Sequence, residues 1–140
     1  MKILKTYARM FVADLDQSLP LYERLVGRPA DIRVRFEEAE LAAVGDFLLI
    51  AGTAPATARY RDTVGPIIVD DIDDTEKVLA GIGAHTHRFP APTGEGSYIR
   101  HPDGVVVEYL QWNAEMMSRV FGNPPAGAEN TAKSNVAGYQ

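Results

Sequence analysis

One plan of elements runs through this chain twice, and that repetition narrows the possible folds more than any other feature. A strand-like run over 3–12 leads into Asp14-Leu15-Asp16, and a second over 64–69 leads into Asp71-Ile72-Asp73. Each junction opens a helix. Asp14 stands at an N-cap position with Gln17 at the capping-box position. Leu15, Leu19, Tyr22 and Val26 then recur at helical spacing until Gly27 stops them. Pro20 predicts that the regular part of this helix begins only near Ser18. In the second half, Ile72, Leu79 and Ile82 line one helical face, with Gly81 and Gly83 ending it. Three strands are expected after each helix, over 31–36, 40–44 and 47–51, then over 85–89, 97–100 and 105–111. Gly45-Asp46 is the turn between the last two strands of the first set, and 90–96 is a Pro- and Gly-rich loop in the second. The segment 53–61 has no periodicity and reads as a connector. Pro66 demotes its strand to an edge or bulged position.

The last strand carries the residue that most needs explaining. His101-Pro102-Asp103-Gly104 is turn chemistry, followed by Val105-Val106-Val107-Glu108-Tyr109-Leu110. Alternation puts Val105, Val107 and Tyr109 on one face and Val106, Glu108 and Leu110 on the other. A carboxylate between two aliphatic neighbours is costly in a core unless it has a partner or a task. Beyond Trp112, the segment 114–121 forms a short helix whose Met116, Met117, Val120 and Phe121 make an apolar stripe, either a lid or interface or packed on its own sheet. The stretch 123–140 is expected to be a flexible tail.

Composition excludes several classes. A formal charge of −5 with no basic stripe argues against a nucleic-acid partner. The absence of cysteine rules out disulfides and thiolate chemistry and fits a cytoplasmic protein. No apolar run reaches membrane-spanning length and the first residues lack a signal-peptide core. With 46% hydrophobic residues, the expectation is one domain over 1–122, made of a module over 1–58, a module over 59–112 and a terminal helix over 113–122.

Two βαβββ halves, Val12-Ala13-Asp14-Leu15-Asp16 before a helix with Leu21-Tyr22-Glu23-Arg24-Leu25-Val26-Gly27, and a closing His-Pro-Asp-Gly-x-x-x-Glu strand resemble the vicinal oxygen chelate superfamily. That superfamily includes glyoxalase I, extradiol dioxygenases, fosfomycin-resistance enzymes and bleomycin-binding proteins. The resemblance implies an α+β fold in which two βαβββ modules form curved mixed sheets around a cup, usually in a homodimer. It places the family's metal-ligand positions at Tyr7, at Leu49 or Ile50, at Val64 and at Glu108. Only Glu108 carries a donor suited to a divalent ion, so no metal cofactor is expected. His85 and His87 share a strand face and are the remaining candidates for a rebuilt metal site; His101 reads as a turn residue.

The same resemblance implies a cup lined by Tyr7, Arg9 and Phe11 from the first strand and by Tyr98 and Arg100 from the seventh. Val106, Glu108 and Leu110 come from the eighth, Val64 and Ile68 form an apolar wall, and Trp112 falls at the rim. Arg9 and Arg100 suit a carboxylate, phenolate or phosphate. Against this stands a simpler arrangement, in which Arg9 and Glu108 pair across the cup and fill it. Three functions follow. One is a metal-free module that binds a small aromatic or natural-product-like molecule. Another is a cofactor-free lyase, isomerase or cyclase with Glu108 as general acid or base. The third is a metal-dependent lyase or dioxygenase with a rebuilt site.

Overall fold

The computed structural model describes residues 1–122, so the expected tail over 123–140 lies outside the described residues. The first strand is not continuous. It divides at Tyr7 into β1 (Ile3–Thr6) and β2 (Ala8–Val12), and the two parts join different sheets. Helix α1 (Leu15–Val26) is followed by β3 (Ile32–Phe36), β4 (Ala39–Val44) and β5 (Phe47–Ala51). A second helix, α2 (Ala54–Arg61), leads into β6 (Val64–Val69) and α3 (Ile72–Ala80). The chain continues through β7 (His85–Ala91), β8 (Gly94–Arg100), β9 (Val106–Trp112) and α4 (Ala114–Phe121).

The repeated plan is visible in the pairing. One sheet has the order β2-β5-β4-β3 and the other β1-β6-β9-β8-β7. In each half the first strand runs parallel to the last, β2 beside β5 and β6 beside β9, with the other pairs antiparallel. β1 lies antiparallel to β6, and the Tyr7 N–H donates to the Pro66 carbonyl at 3.3 Å, so the divided strand ties the sheets together.

Both junction aspartates cap their helices. Asp14 accepts from the Gln17 N–H at 2.9 Å and Asp71 from the Asp74 N–H at 2.9 Å. Gly27, at φ 89°, closes α1 with its N–H on the Glu23 carbonyl. Leu15 and Leu19 pack with Val44 and Leu49 on the outer face of the four-stranded sheet. That burial starts the helix at Leu15, earlier than Pro20 suggested; Pro20 and Asp16, the residue four before it, are both exposed. On α3, Ile72 is buried beside Ile99 and Val107, but Ile82 lies past the helix end and is 65% exposed, so it is not part of that face. Arg88 on β7 holds α3 from the side by donating to Glu76 at 2.7 Å, and Glu76 also accepts from the Ser97 hydroxyl at 2.7 Å. Those bonds keep the Glu76 carboxyl below its ordinary range.

Two segments expected as loops are regular. The stretch read as a connector folds into α2, with Thr53 accepting from the Ala56 N–H and Pro55 in the first turn. Only Thr57 and Tyr60 of α2 are buried, too few to show a helical period. The 90–96 loop is the end of a long hairpin, with Pro90 paired to Glu95 and Ala91 to Gly94. Pro90 is tolerated there because β7 is an outer strand. Pro66 is accommodated otherwise: β6 lies between β1 and β9, and the register slips between Val64 and Ile67. The strand is therefore bulged and not an edge. α4 packs against β3 and β9, with Met116 buried and Met117, Val120 and Phe121 against the same core, so its stripe faces inward.

Candidate functional site between the sheets

The inner faces of the two sheets meet around an apolar cavity of about 50 Å³. Ile68, Leu110, Trp112, Pro66, Leu48 and Phe36 are part of its apolar wall, and Tyr7, Tyr60, Thr93 and Glu108 bring polar groups to it. Strand alternation positions these side chains as the sequence implied. Glu108 and Leu110 face the cavity while Val107 and Tyr109 pack behind the sheet beside Val69 and Ile72. The ambiguity at the fourth strand also resolves. Leu49 packs beneath α1 and Ile50 faces inward beside Tyr60.

Glu108 is 3% exposed and accepts a hydrogen bond through Oε1 from Arg9 Nη2 at 2.8 Å. The ion pair that sequence reasoning set against a ligand site is therefore present, and both side chains are buried. Arg9 is heavily committed. Its Nη1 donates to the Tyr60 carbonyl at 2.6 Å, the Thr63 carbonyl at 2.6 Å and the Thr63 hydroxyl at 2.9 Å. Burial pushes the Glu108 carboxyl up, and Arg9 offsets only part of that rise. The remaining carboxylate oxygen, Oε2, accepts nothing from the described residues. Nor do the hydroxyls of Tyr7, Tyr60 and Tyr98, or Arg9 Nε, find a hydrogen-bond partner among them. Burial raises all three phenols, Tyr98 to about 12, so each stays a neutral donor.

Several residues expected in the cup stand elsewhere. Arg100, the last residue of β8, is exposed and reaches only the Gly104 carbonyl at 3.4 Å, too far along the strand to meet Arg9. Val64 is 56% exposed because the bulge in β6 turns Pro66, and not Val64, to the cavity. Val106 pairs with Arg100 at the far end of β9 and does not line the cavity. Trp112 is in the wall, 6% exposed beside Tyr7 and Phe121, and not at the rim. Tyr98 stacks on Phe89, which stacks in turn on Phe36 across the sheets. Phe11 lies under the Arg61 guanidinium at 4.1 Å and faces an outer groove of about 430 Å³. That groove shares Tyr7 and Tyr60 with the cavity and adds Arg9, Arg61, Thr63 and Val64. His101 does more than turn the chain: its Nε2 bonds the Tyr109 hydroxyl at 2.8 Å behind the sheet. Sequence reasoning missed Phe36, Leu48 and Pro66 in the wall and, among the polar members, Tyr60. The Thr53 cap, early Pro55 and closing Arg59 and Arg61 were the available signal for its helix.

A divalent ion does not fit the family's four positions. They hold a neutral phenol at Tyr7, the hydrocarbons of Ile50 and Val64, and a Glu108 whose charge already faces a guanidinium. Among the described residues no three His, Cys, Asp or Glu side chains converge. His85 and His87 are exposed on the outer strand β7.

Paired βαβββ halves around a shared interior make a glyoxalase-like α+β fold. The chain belongs to the same family as an uncharacterized protein of Methanosarcina mazei, with 38% identity over 81% of this chain and 95% of that one, at a TM-score of 0.73. Methylmalonyl-CoA epimerase of Mycobacterium tuberculosis matches at 16% identity and a TM-score of 0.64, over 83% and 93% of the two chains. A variant of the Streptomyces coelicolor methylmalonyl-CoA epimerase, in complex with 2-nitronate-propionyl-CoA, matches at 15% identity and a TM-score of 0.59, over 81% and 97%. At those identities the likeness is one of fold. No protein-family model and no curated protein matches the chain.

Proposed function

We propose that the protein binds a small organic molecule between its sheets without a metal ion, and that Glu108 reads a polar group of that molecule. One observation carries this reading. A buried carboxylate keeps an unbonded oxygen at an apolar cavity where two phenol hydroxyls also lack partners. Buried polar atoms left unpaired cost roughly 1–3 kcal/mol each, which a bound donor or acceptor relieves. Size restricts the ligand. Pockets for drug-sized molecules hold on the order of 300–1,000 Å³, whereas this cavity of about 50 Å³ accepts a head group of a few heavy atoms. The rest of the ligand then lies toward the outer groove over Phe11 and Arg61.

The test is a thermal-shift screen of small hydroxylated and aromatic compounds on wild type and Glu108→Gln. A hit should bind Glu108→Gln more weakly by roughly 1–3 kcal/mol, and chelator should leave both melting temperatures unchanged. A large loss of stability in Glu108→Gln with affinity intact among the folded molecules would make Glu108 purely structural. One equivalent of divalent metal held by Glu108 would overturn the metal-free reading.

The raised Glu108 carboxyl favours a second reading, in which the same residue moves a proton as a cofactor-free lyase, isomerase or cyclase. Solvent deuterium entering a bound ligand in wild type and not in Glu108→Gln would distinguish chemistry from binding.

A further inference from the structure

We propose that α2 occupies the cup as a stand-in for the ligand, and that the ligand is a phenolic aromatic acid that binds by displacing it. This rests on the binding reading above and names the ligand's chemistry from what now fills the site. The Tyr60 ring lies on the inner face of the four-stranded sheet among Ala39, Leu41 and Ile50, with Phe36 and Leu48 beside it. Arg9 grips the end of the helix through oxygen acceptors, the carbonyls of Tyr60 and Thr63 and the Thr63 hydroxyl, and its guanidinium stands 5.4 Å from the centre of the Tyr60 ring. An aromatic ring with acceptor oxygens facing Arg9 is also the outline of an aromatic carboxylate.

The occupant fits poorly. Its phenol hydroxyl is buried without a partner at a cavity of about 50 Å³ that stays unfilled, and Arg9 Nε, on the side of the outer groove, is likewise unpaired. A free acid can do better, with its carboxylate on Arg9 and its phenol donating to Glu108 Oε2. α2 buries little of itself, although Arg9 holds its end and Arg59 pairs with Glu37 at 3.1 Å. It has eight residues, with Thr57 and Tyr60 its buried positions, and a helix that short is not stable by itself. Gly52 at φ 155° precedes the segment and gives it a pivot. α4, which follows the last strand of the second half as α2 follows that of the first, shows the contrast. It sets Met116, Met117, Val120 and Phe121 into the core.

The experiment titrates 4-hydroxybenzoate by calorimetry into wild type and Tyr60→Ala, and follows amide hydrogen exchange over 54–61 in wild type with and without it. Removing the competing ring should tighten binding at least tenfold, and saturating the wild type should speed exchange in α2 while β5 and β6 stay protected. The exchange measurement decides the matter even if Tyr60→Ala does not fold. Binding to wild type that is lost in Glu108→Gln but leaves α2 protection unchanged or higher would overturn displacement while leaving the binding site in place. Equal or weaker binding to a folded Tyr60→Ala would also overturn it. If neither chain binds 4-hydroxybenzoate the proposal falls, and the wider compound screen decides the binding reading separately.

Discussion

At the scale of single residues, Glu108 governs both stability and recognition. Burial raises its carboxyl above the value it has in the unfolded chain. Between those two values the folded protein keeps a proton that the unfolded chain has released. The resulting stabilisation is full below the unfolded value and is lost as pH rises through the folded one. The melting temperature of wild type, measured against Glu108→Gln, should therefore fall as pH climbs out of the ordinary carboxylate range. A pH-independent difference would mean that Arg9 fully cancels the effect of burial. Replacing Glu108 by Leu removes the counter-charge and should cost about 3–5 kcal/mol, although the three bonds from Arg9 Nη1 to Tyr60 and Thr63 remain to hold it.

At the scale of elements, the hairpin of β7 and β8 shows how closely the inner face is packed. Gly96 is buried, and a methyl group on it would stand 2.3 Å from the Phe89 ring. The missing side chain is what lets that ring lie flat between Tyr98 and Phe36 and bridge the two sheets. Gly96→Ala should displace the ring and destabilise the protein by about 1–3 kcal/mol, read from chemical denaturation. An unchanged midpoint would mean that Phe89 can move aside freely. This layer was only partly legible in the sequence. Alternation correctly set Glu108 against Val107, but nothing in the order of residues showed that Phe89, Tyr98 and Phe36 would form one stack. That contact joins strands from opposite halves of the chain.

At the scale of the molecule, what stays uncovered matters most. β3 and β7 are outer strands, and His85, Thr86, His87 and Arg88 on β7 are exposed. Leu21 and Leu25 on α1 are exposed, as are Val78 on α3 and Ile82 just beyond it. Open strand edges and apolar pairs of this kind are commonly covered by isologous association. Light scattering at micromolar concentration should report the mass of two chains, and the mass of one chain would count against a homodimer. No described helix is long and apolar enough to cross a membrane.

Local chemistry alone determined the repeated strand–helix–strand plan, the caps at Asp14 and Asp71, the stop at Gly27 and the face on which Glu108 stands. Each depends on neighbours a few residues away, through turn preferences, capping and the periods of strand and helix. Tertiary structure decided the rest. It divided the first strand at Tyr7 because each part pairs with a different sheet. It made a helix of 54–61, where two buried side chains supply no period, and set Tyr60 into the cup. It left Arg100 and Val64 outside, since strand alternation fixes the side a residue faces and not how far along the cup it lies. It joined Arg9 to Glu108, a contact between residues far apart in the chain that forms only when the two sheets close on each other.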